Sequence, residues 1–119
     1  MASAAELVSK AKSKIREVTP QDVAKARDKW VIIDVREPEE YAAGHIPEVP
    51  NIPRGLIEFK VNNHPLLSDR DMPLVLHCKS GGRSALAAVV LQELGFNNVV
   101  NMAGGFDAWQ STGLPVSKP

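Results

Sequence analysis

Leu74-Val75-Leu76-His77-Cys78-Lys79-Ser80-Gly81-Gly82-Arg83-Ser84 is the stretch on which the reading of this chain turns. Leu74–Leu76, entered through Pro73, is a short apolar run of the kind that fills a buried parallel strand. The only cysteine, Cys78, stands where that run stops. Gly81 and Gly82 follow, and from Arg83 a long apolar pattern at helical spacing begins. A strand, a glycine-bearing turn and a helix start together make a cradle of backbone N–H groups in which negative charge is favoured. A thiol at the mouth of such a cradle is expected to have a lowered pKa and to react as thiolate. The alternative is a buried, inert cysteine, a common fate for a free thiol. Position favours reactivity, because open α/β sheets build their sites at the carboxyl ends of strands.

Outward from this stretch, strands and helices alternate. Arg83–Leu94 carries Leu86, Ala87, Val90, Leu91 and Leu94 on a helical face, with Gly95 as its cap. Trp30–Val35 is the clearest strand, apolar on both faces as a central parallel strand must be. Ile15–Val18, Val49–Ile52 and Asn98–Met102 complete a set of five predicted strands. Thr19-Pro20 opens a helix through about Arg27, Pro38-Glu39-Glu40-Tyr41 starts a short one, and Phe106–Gln110 forms another. Leu56–Val61 reads weakly as helix, and Asn62–Met72 as loop. Ala4–Lys14 is a helix with Leu7, Val8 and Ala11 on one face, continued by Ile15. Its Lys10, Lys12 and Lys14, with Arg16, fit either a solvated face or an anionic partner. The alternation argues for an α/β layer architecture with a mostly parallel sheet.

Composition narrows the function classes. At 119 residues the chain suits one domain. Its formal net charge is zero, so nothing in the overall electrostatics calls for nucleic acid or a membrane surface. One cysteine excludes an internal disulfide and fits a reducing compartment. Met1–Lys14 lacks the continuous apolar segment of a secretory signal, so a cytoplasmic location is expected. The three histidines share no short ligand spacing, so no metal and no cofactor is expected.

Cys78, Gly81, Arg83 and Ser84 fill a Cys-x-x-Gly-x-Arg-Ser pattern that resembles the active-site loop of the rhodanese sulfurtransferases. Asp34-Val35-Arg36 with Glu39, Glu40 and Tyr41 resembles the family's first signature. Gly44-His45-Ile46-Pro47 with Asn51-Ile52-Pro53 resembles its second, and Gly104-Gly105, Ala108-Trp109 and Gly113-Leu114-Pro115-Val116 resemble its closing one. The resemblance implies a three-layer rhodanese-like fold, a five-stranded parallel sheet with helices on both faces. It divides the chain into an N-terminal helical extension, residues 1–14, and a rhodanese domain, residues 15–119. Glu48-Val49 departs from the family, which usually has Gly-Ala there, and puts the geometry of that turn in question.

The resemblance also implies the chemistry. Cys78 would be the nucleophile that takes sulfane sulfur from thiosulfate or a persulfide donor, and a thiol, cyanide or a protein acceptor would remove it. Two half-reactions through a covalent intermediate predict ping-pong kinetics. Lys79, Ser80, Gly81, Gly82, Arg83 and Ser84 would form the substrate-binding loop. Lys79, beside the nucleophile, fits either a contact to the sulfonate of thiosulfate that also lowers the Cys78 pKa or a solvent-facing loop lysine. The loop amides are expected to stabilise the persulfide anion. Ser84 is expected to serve loop amides near the helix start. A cation at a helix N-terminus is locally unfavourable, which calls for a compensating partner unless Arg83 is simply a solvated surface arginine. The resemblance implies that it closes the loop on a carboxylate, for which Asp34 is the candidate. Asp34 and Arg36 are supporting residues, Arg36 as a candidate anion contact. His77 should point to the face opposite Cys78, which argues against a Cys–His pair. A cysteine phosphatase or arsenate reductase of the same fold is the enzymatic rival. That branch has one more residue in the loop than the four between Cys78 and Arg83 here. A non-enzymatic binding or sulfur-carrier module is the other alternative.

Overall fold

Every residue of the strand before Cys78 is buried, as an unbroken apolar run requires when both sheet faces are covered. The computed structural model, which describes residues 2–118, builds an all-parallel sheet around it. The strands are β1 (Arg16–Val18), β2 (Val31–Asp34), β3 (Leu74–His77) and β4 (Val99–Met102), in the order β1-β4-β3-β2. Leu74 is in register with Val31 on one side and Val99 on the other.

Six helices connect and cover the strands: α1 (Ala4–Lys14), α2 (Pro20–Lys25), α3 (Pro38–Ala43), α4 (Ile57–Lys60), α5 (Gly82–Glu93) and α6 (Gly105–Ser111). Period-two alternation along the strands sorts the core into two parts. Ile33, Val35, Leu74, Leu76 and Cys78 pack with Ala87, Ala88 and Leu91 of α5. Ile32, Val75, Val100 and Met102 pack with Val23 of α2 and with Phe106 and Trp109 of α6. The sheet is therefore the middle of three layers. Leu91 is fully buried, and truncation to alanine at such a site costs about 2–5 kcal/mol. That burial, through Ala87 and Ala88, fixes the helix whose first turn carries Arg83 and Ser84.

The local signals act as their chemistry requires. Thr19 Oγ1 accepts from the Asp22 N–H, with Pro20 at the first position of α2. Ser3 caps α1 in the same way through the Glu6 N–H. α1 packs along α5, and Ala11 is its buried contact. Helix α2 is shorter than predicted, with a separate 3₁₀ turn at Arg27–Lys29.

The expected fifth strand is absent among the described residues. Val49–Ile52 contributes a single parallel bridge, Asp34 to Asn51. Its two hydrogen bonds run from the Asp34 N–H to Pro50 O and from the Ile52 N–H to Asp34 O. Pro50 and Pro53 flank this bridge, and neither has an N–H with which to extend a ladder. In consequence β2, predicted as central, lies at the margin of the sheet. The turn before Asn51 is unusual too: Glu48 has φ 66°, the one non-glycine left-handed residue among those described.

Candidate active site

Cys78 directly follows β3, with its side chain on the α5 face and 1% exposed. Gly81, at φ 108°, precedes the first residue of α5. This left-handed conformation, which costs glycine little, turns its N–H toward the Cys78 Sγ at 3.1 Å. Gly82 does not share it, being helical. It packs against Val8 of α1, whose Cγ2 would stand at ordinary contact distance, 3.5 Å, from a Cβ at this position. Burial pushes the thiol pKa up. The hydrogen bonds that the Ser84 hydroxyl, when turned to the sulfur, and the N–H groups of Ser84, Gly81 and Ser80 offer a thiolate outweigh it, so the net direction is down.

Peptide planes that turn N–H groups toward sulfur turn their carbonyls the other way, and α6 receives them. The Phe106 N–H donates to Cys78 O at 2.8 Å and the Asp107 N–H to Lys79 O at 3.0 Å. A Cβ on Gly105 would stand 2.5 Å from Cys78 O and 2.7 Å from Lys79 O, so only glycine permits this approach.

Ser84 is fully buried, and its hydroxyl does not serve loop amides as expected. Its Oγ lies 2.5 Å from Asn101 Oδ1 and 3.4 Å from Cys78 Sγ. Asn101, on β4, donates through Nδ2 to Glu17 Oε2 at 2.8 Å and to Gly81 O at 3.1 Å. Neither Asn101 nor Glu17 belongs to the motifs singled out in the sequence. A signal existed: Val99-Val100-Asn101-Met102 is a buried apolar strand with one amide in it, and a buried amide must find partners.

Arg83 does meet a carboxylate, though not that of Asp34. Its guanidinium forms two hydrogen bonds with Glu40, Nη1 to Oε1 at 2.6 Å and Nη2 to Oε2 at 3.0 Å. The arginine's hydrogen bond holds the Glu40 carboxyl down at about 2, and the same bond pushes the Arg83 pKa up. Asp34 is committed elsewhere, two residues along its own chain. Its Oδ2 accepts from Arg36 Nη2 at 2.8 Å, and its Oδ1 from the Arg36 N–H and Nε. Arg36 also donates to Gly44 O at 2.7 Å and lies 4.2 Å above the Phe106 ring, so its charge is neutralised inside the second core.

His77 points to the α6 face, away from the sulfur, as strand alternation predicts. Its Nδ1 lies 3.2 Å from Cys78 O and its Nε2 has no hydrogen-bond partner among the described residues. Burial drives its pKa down against the opposing pull of Asp34. Ser80 and Lys79 are exposed, and Lys79 Nζ is 2.9 Å from Asp107 Oδ2. A shallow concavity of about 320 Å³ opens beside the loop, lined among others by Arg36, Glu40, Lys79, Phe106 and Asp107. No group of three potential metal-ligating His, Cys, Asp or Glu side chains occurs among the described residues.

A parallel α/β sheet with a cysteine at the carboxyl end of a strand, facing a backbone N–H of the turn that follows, defines a class of cysteine-loop domains. The Rhodanese-like domain family matches residues 19–112, and the chain belongs to that family. A sulfurtransferase of Allochromatium vinosum is 38% identical over 75% of this chain and 79% of its own length. The thiosulfate sulfurtransferase GlpE of Pseudomonas entomophila is 33% identical over 84% and 89%. In structure, a protein of unknown function from Rhodopseudomonas palustris, described as a possible tyrosine phosphatase, superposes with a TM-score of 0.89. It is 31% identical, over 98% of this chain and 96% of that one.

Proposed function

We propose that the protein is a sulfurtransferase that carries sulfane sulfur on Cys78 as a persulfide. The observation that supports this most is the loop backbone turned toward one sulfur atom: the Gly81 N–H lies 3.1 Å from Cys78 Sγ, and the N–H groups of Ser80 and Ser84 help it hold the thiol pKa down. In the first half-reaction the Cys78 thiolate attacks the outer sulfur of thiosulfate. A Cys78 S–S bond forms, the S–S bond of thiosulfate breaks, and sulfite leaves with the electron pair. In the second, a thiolate or cyanide attacks the outer sulfur of the persulfide and Cys78 departs as thiolate. Each step is a displacement at sulfur, so no external oxidant or reductant takes part. The loop amides stabilise the anion on the outer sulfur as oxyanion-hole donors stabilise developing charge. Lys79 beside the loop is the cation nearest in sequence to Cys78 for the sulfonate of an anionic donor, and its exposed ion pair with Asp107 competes for that charge.

A phosphatase reading has one observation behind it, the description of the Rhodopseudomonas palustris protein. Loop length favours sulfur: four residues separate Cys78 from Arg83, a ring suited to one sulfur atom over Cys78 and tight for a tetrahedral oxyanion. Intact-protein mass spectrometry tests the proposal. Incubation with thiosulfate is expected to add the mass of one sulfur atom, and a thiol reductant to remove it. An unchanged mass with either thiosulfate or a low-molecular-weight persulfide, together with hydrolysis of an aryl phosphate, overturns it.

A further inference from the structure

The Ser84 hydroxyl has one proton, and two neighbours compete for it, Asn101 Oδ1 and Cys78 Sγ. The far end of the Asn101 amide decides the contest. There it meets the Glu17 carboxylate and the Gly81 carbonyl, which both only accept, so Nδ2 faces them and Oδ1 faces Ser84. Oδ1 cannot donate, so the Ser84 proton lies toward Asn101. The contact between Oγ and Sγ is then made by the thiol S–H donating to Ser84. The result is a one-way chain from S–H through O–H and the Asn101 amide to the Glu17 carboxylate, each donor polarising the next. If the sulfur ionises and Ser84 turns to it, Oδ1 loses its only hydroxyl donor inside a site where both residues are fully buried. If Ser84 stays, the thiolate keeps backbone N–H groups alone.

We propose that Asn101, held by Glu17, is a positioning residue that draws the Ser84 proton away from Cys78 and so favours a sulfur atom bearing no full charge of its own. Two such states exist: the resting thiol and, if the sulfur-transfer reading holds, the inner sulfur of the persulfide. In the second the charge sits on the outer sulfur, before the loop amides. The bare thiolate is then the one state the chain opposes, which favours keeping sulfur on Cys78 until an acceptor arrives. Glu17 lies on β1 in register with Asn101, outside the residues 19–112 that match the family. The N-terminal segment therefore takes part in tuning the loop.

Other charges face Cys78 as well. Lys79 and Arg83 belong to its loop, with Glu40 behind Arg83. His77 and the Asp34–Arg36 pair stand on the far face. Asp107 comes from α6, and Lys12 from α1 brings its Nζ to 3.7 Å from the Cβ position of Gly81. None of these changes in the variants below.

The test is the pH dependence of Cys78 alkylation by iodoacetamide in the full chain, for the parent, Glu17→Ala, Ser84→Ala and the double variant. Glu17 is exposed, so its removal leaves the core intact, and circular dichroism verifies this. Glu17→Ala is expected to lower the alkylation midpoint by about half a pH unit, the shift that a weakened hydrogen bond produces. In the Ser84→Ala background the same change is expected to leave the midpoint where it is, because the chain is already cut. No downward shift from Glu17→Ala overturns the proposal. So does an equal shift in both backgrounds, which is a charge acting through space. Alkylation needs no sulfur donor, so failure of the sulfur-transfer reading is seen separately, in the mass measurement.

Discussion

On one face of the sheet, Ser84 touches the Cys78 sulfur and Asn101 stands behind Ser84, two neutral side chains that share a proton. On the other face, Asp34, Arg36 and His77 form a buried cluster of charged and titratable groups beneath Phe106. The Asp34 carboxylate takes four hydrogen-bond contacts from Arg36, one backbone and three from the guanidinium. It leaves nothing to rearrange, and its work is to clamp the turn after β2 against α6. The neutral cluster has one proton with two possible destinations. Burial alone does not mark a functional polar group; a choice among partners does.

Substitutions break this contrast in graded ways. Cys78→Ser is expected to abolish thiosulfate:cyanide sulfur transfer while the melting temperature stays near that of the parent. A serine hydroxyl does not supply a nucleophilic anion at neutral pH, and it loses sulfur's intrinsic nucleophilicity. Retained activity removes Cys78 from the mechanism, and a collapse of stability makes it a packing residue. Asp34→Ala acts on the other cluster. It leaves the Arg36 guanidinium buried and unpaired, which should cost about 3–5 kcal/mol in urea unfolding.

The Arg83–Glu40 pair lies between these extremes, partly exposed. Its carboxyl has a folded pKa of about 2 against an ordinary 4.5, so the folded state binds its proton less readily than the unfolded chain. The stability from this pair is complete above about 4.5 and disappears as pH falls through about 2. Solvent screening limits it to about 1 kcal/mol. Glu40→Gln is expected to remove that share of the acid dependence, read as the difference between denaturation midpoints at neutral and acid pH.

Asp107→Asn frees Lys79 from its partner. It should lower the KM for thiosulfate about two- to fivefold, an exposed charge contact, with little change for an uncharged persulfide donor. Equal changes for both donors assign Lys79 to the thiolate and not to the substrate. Glu48→Gly is the smallest and lies outside both clusters. Relief of the left-handed strain is partly offset by the entropy glycine loses on folding, for a net gain of about 0.5 kcal/mol and unchanged kinetics.

The strand, loop and helix around Cys78 could be read from sequence because their signals are local. Proline opens the apolar run, glycine marks the turn, and helical spacing starts at once. Glu48 was legible for the same reason, as a departure in a turn. The fifth strand misled because Val49 and Ile52 look like strand residues, while Pro50 and Pro53 decide how many N–H groups are available to pair. The partner of Arg83 was out of reach for another reason. Glu40 and Asp34 both lie in the stretch after β2 begins, and only the direction of α3 brings one of them to the loop. Asn101 depends on two contacts distant in sequence, to Glu17 and Ser84, and no local pattern encodes either.

The seating of the loop carbonyls on α6 has a consequence for motion. The amide protons of Phe106 and Asp107 are held by Cys78 O and Lys79 O, so they can exchange with solvent only when the Cys78 loop parts from the helix. Two backbone signals on α6 thereby become timers for the opening of a loop whose own sulfur is invisible to hydrogen exchange. If loop and helix open as one unit, both protons exchange at one rate, and sulfur loading on Cys78 slows both by the same factor.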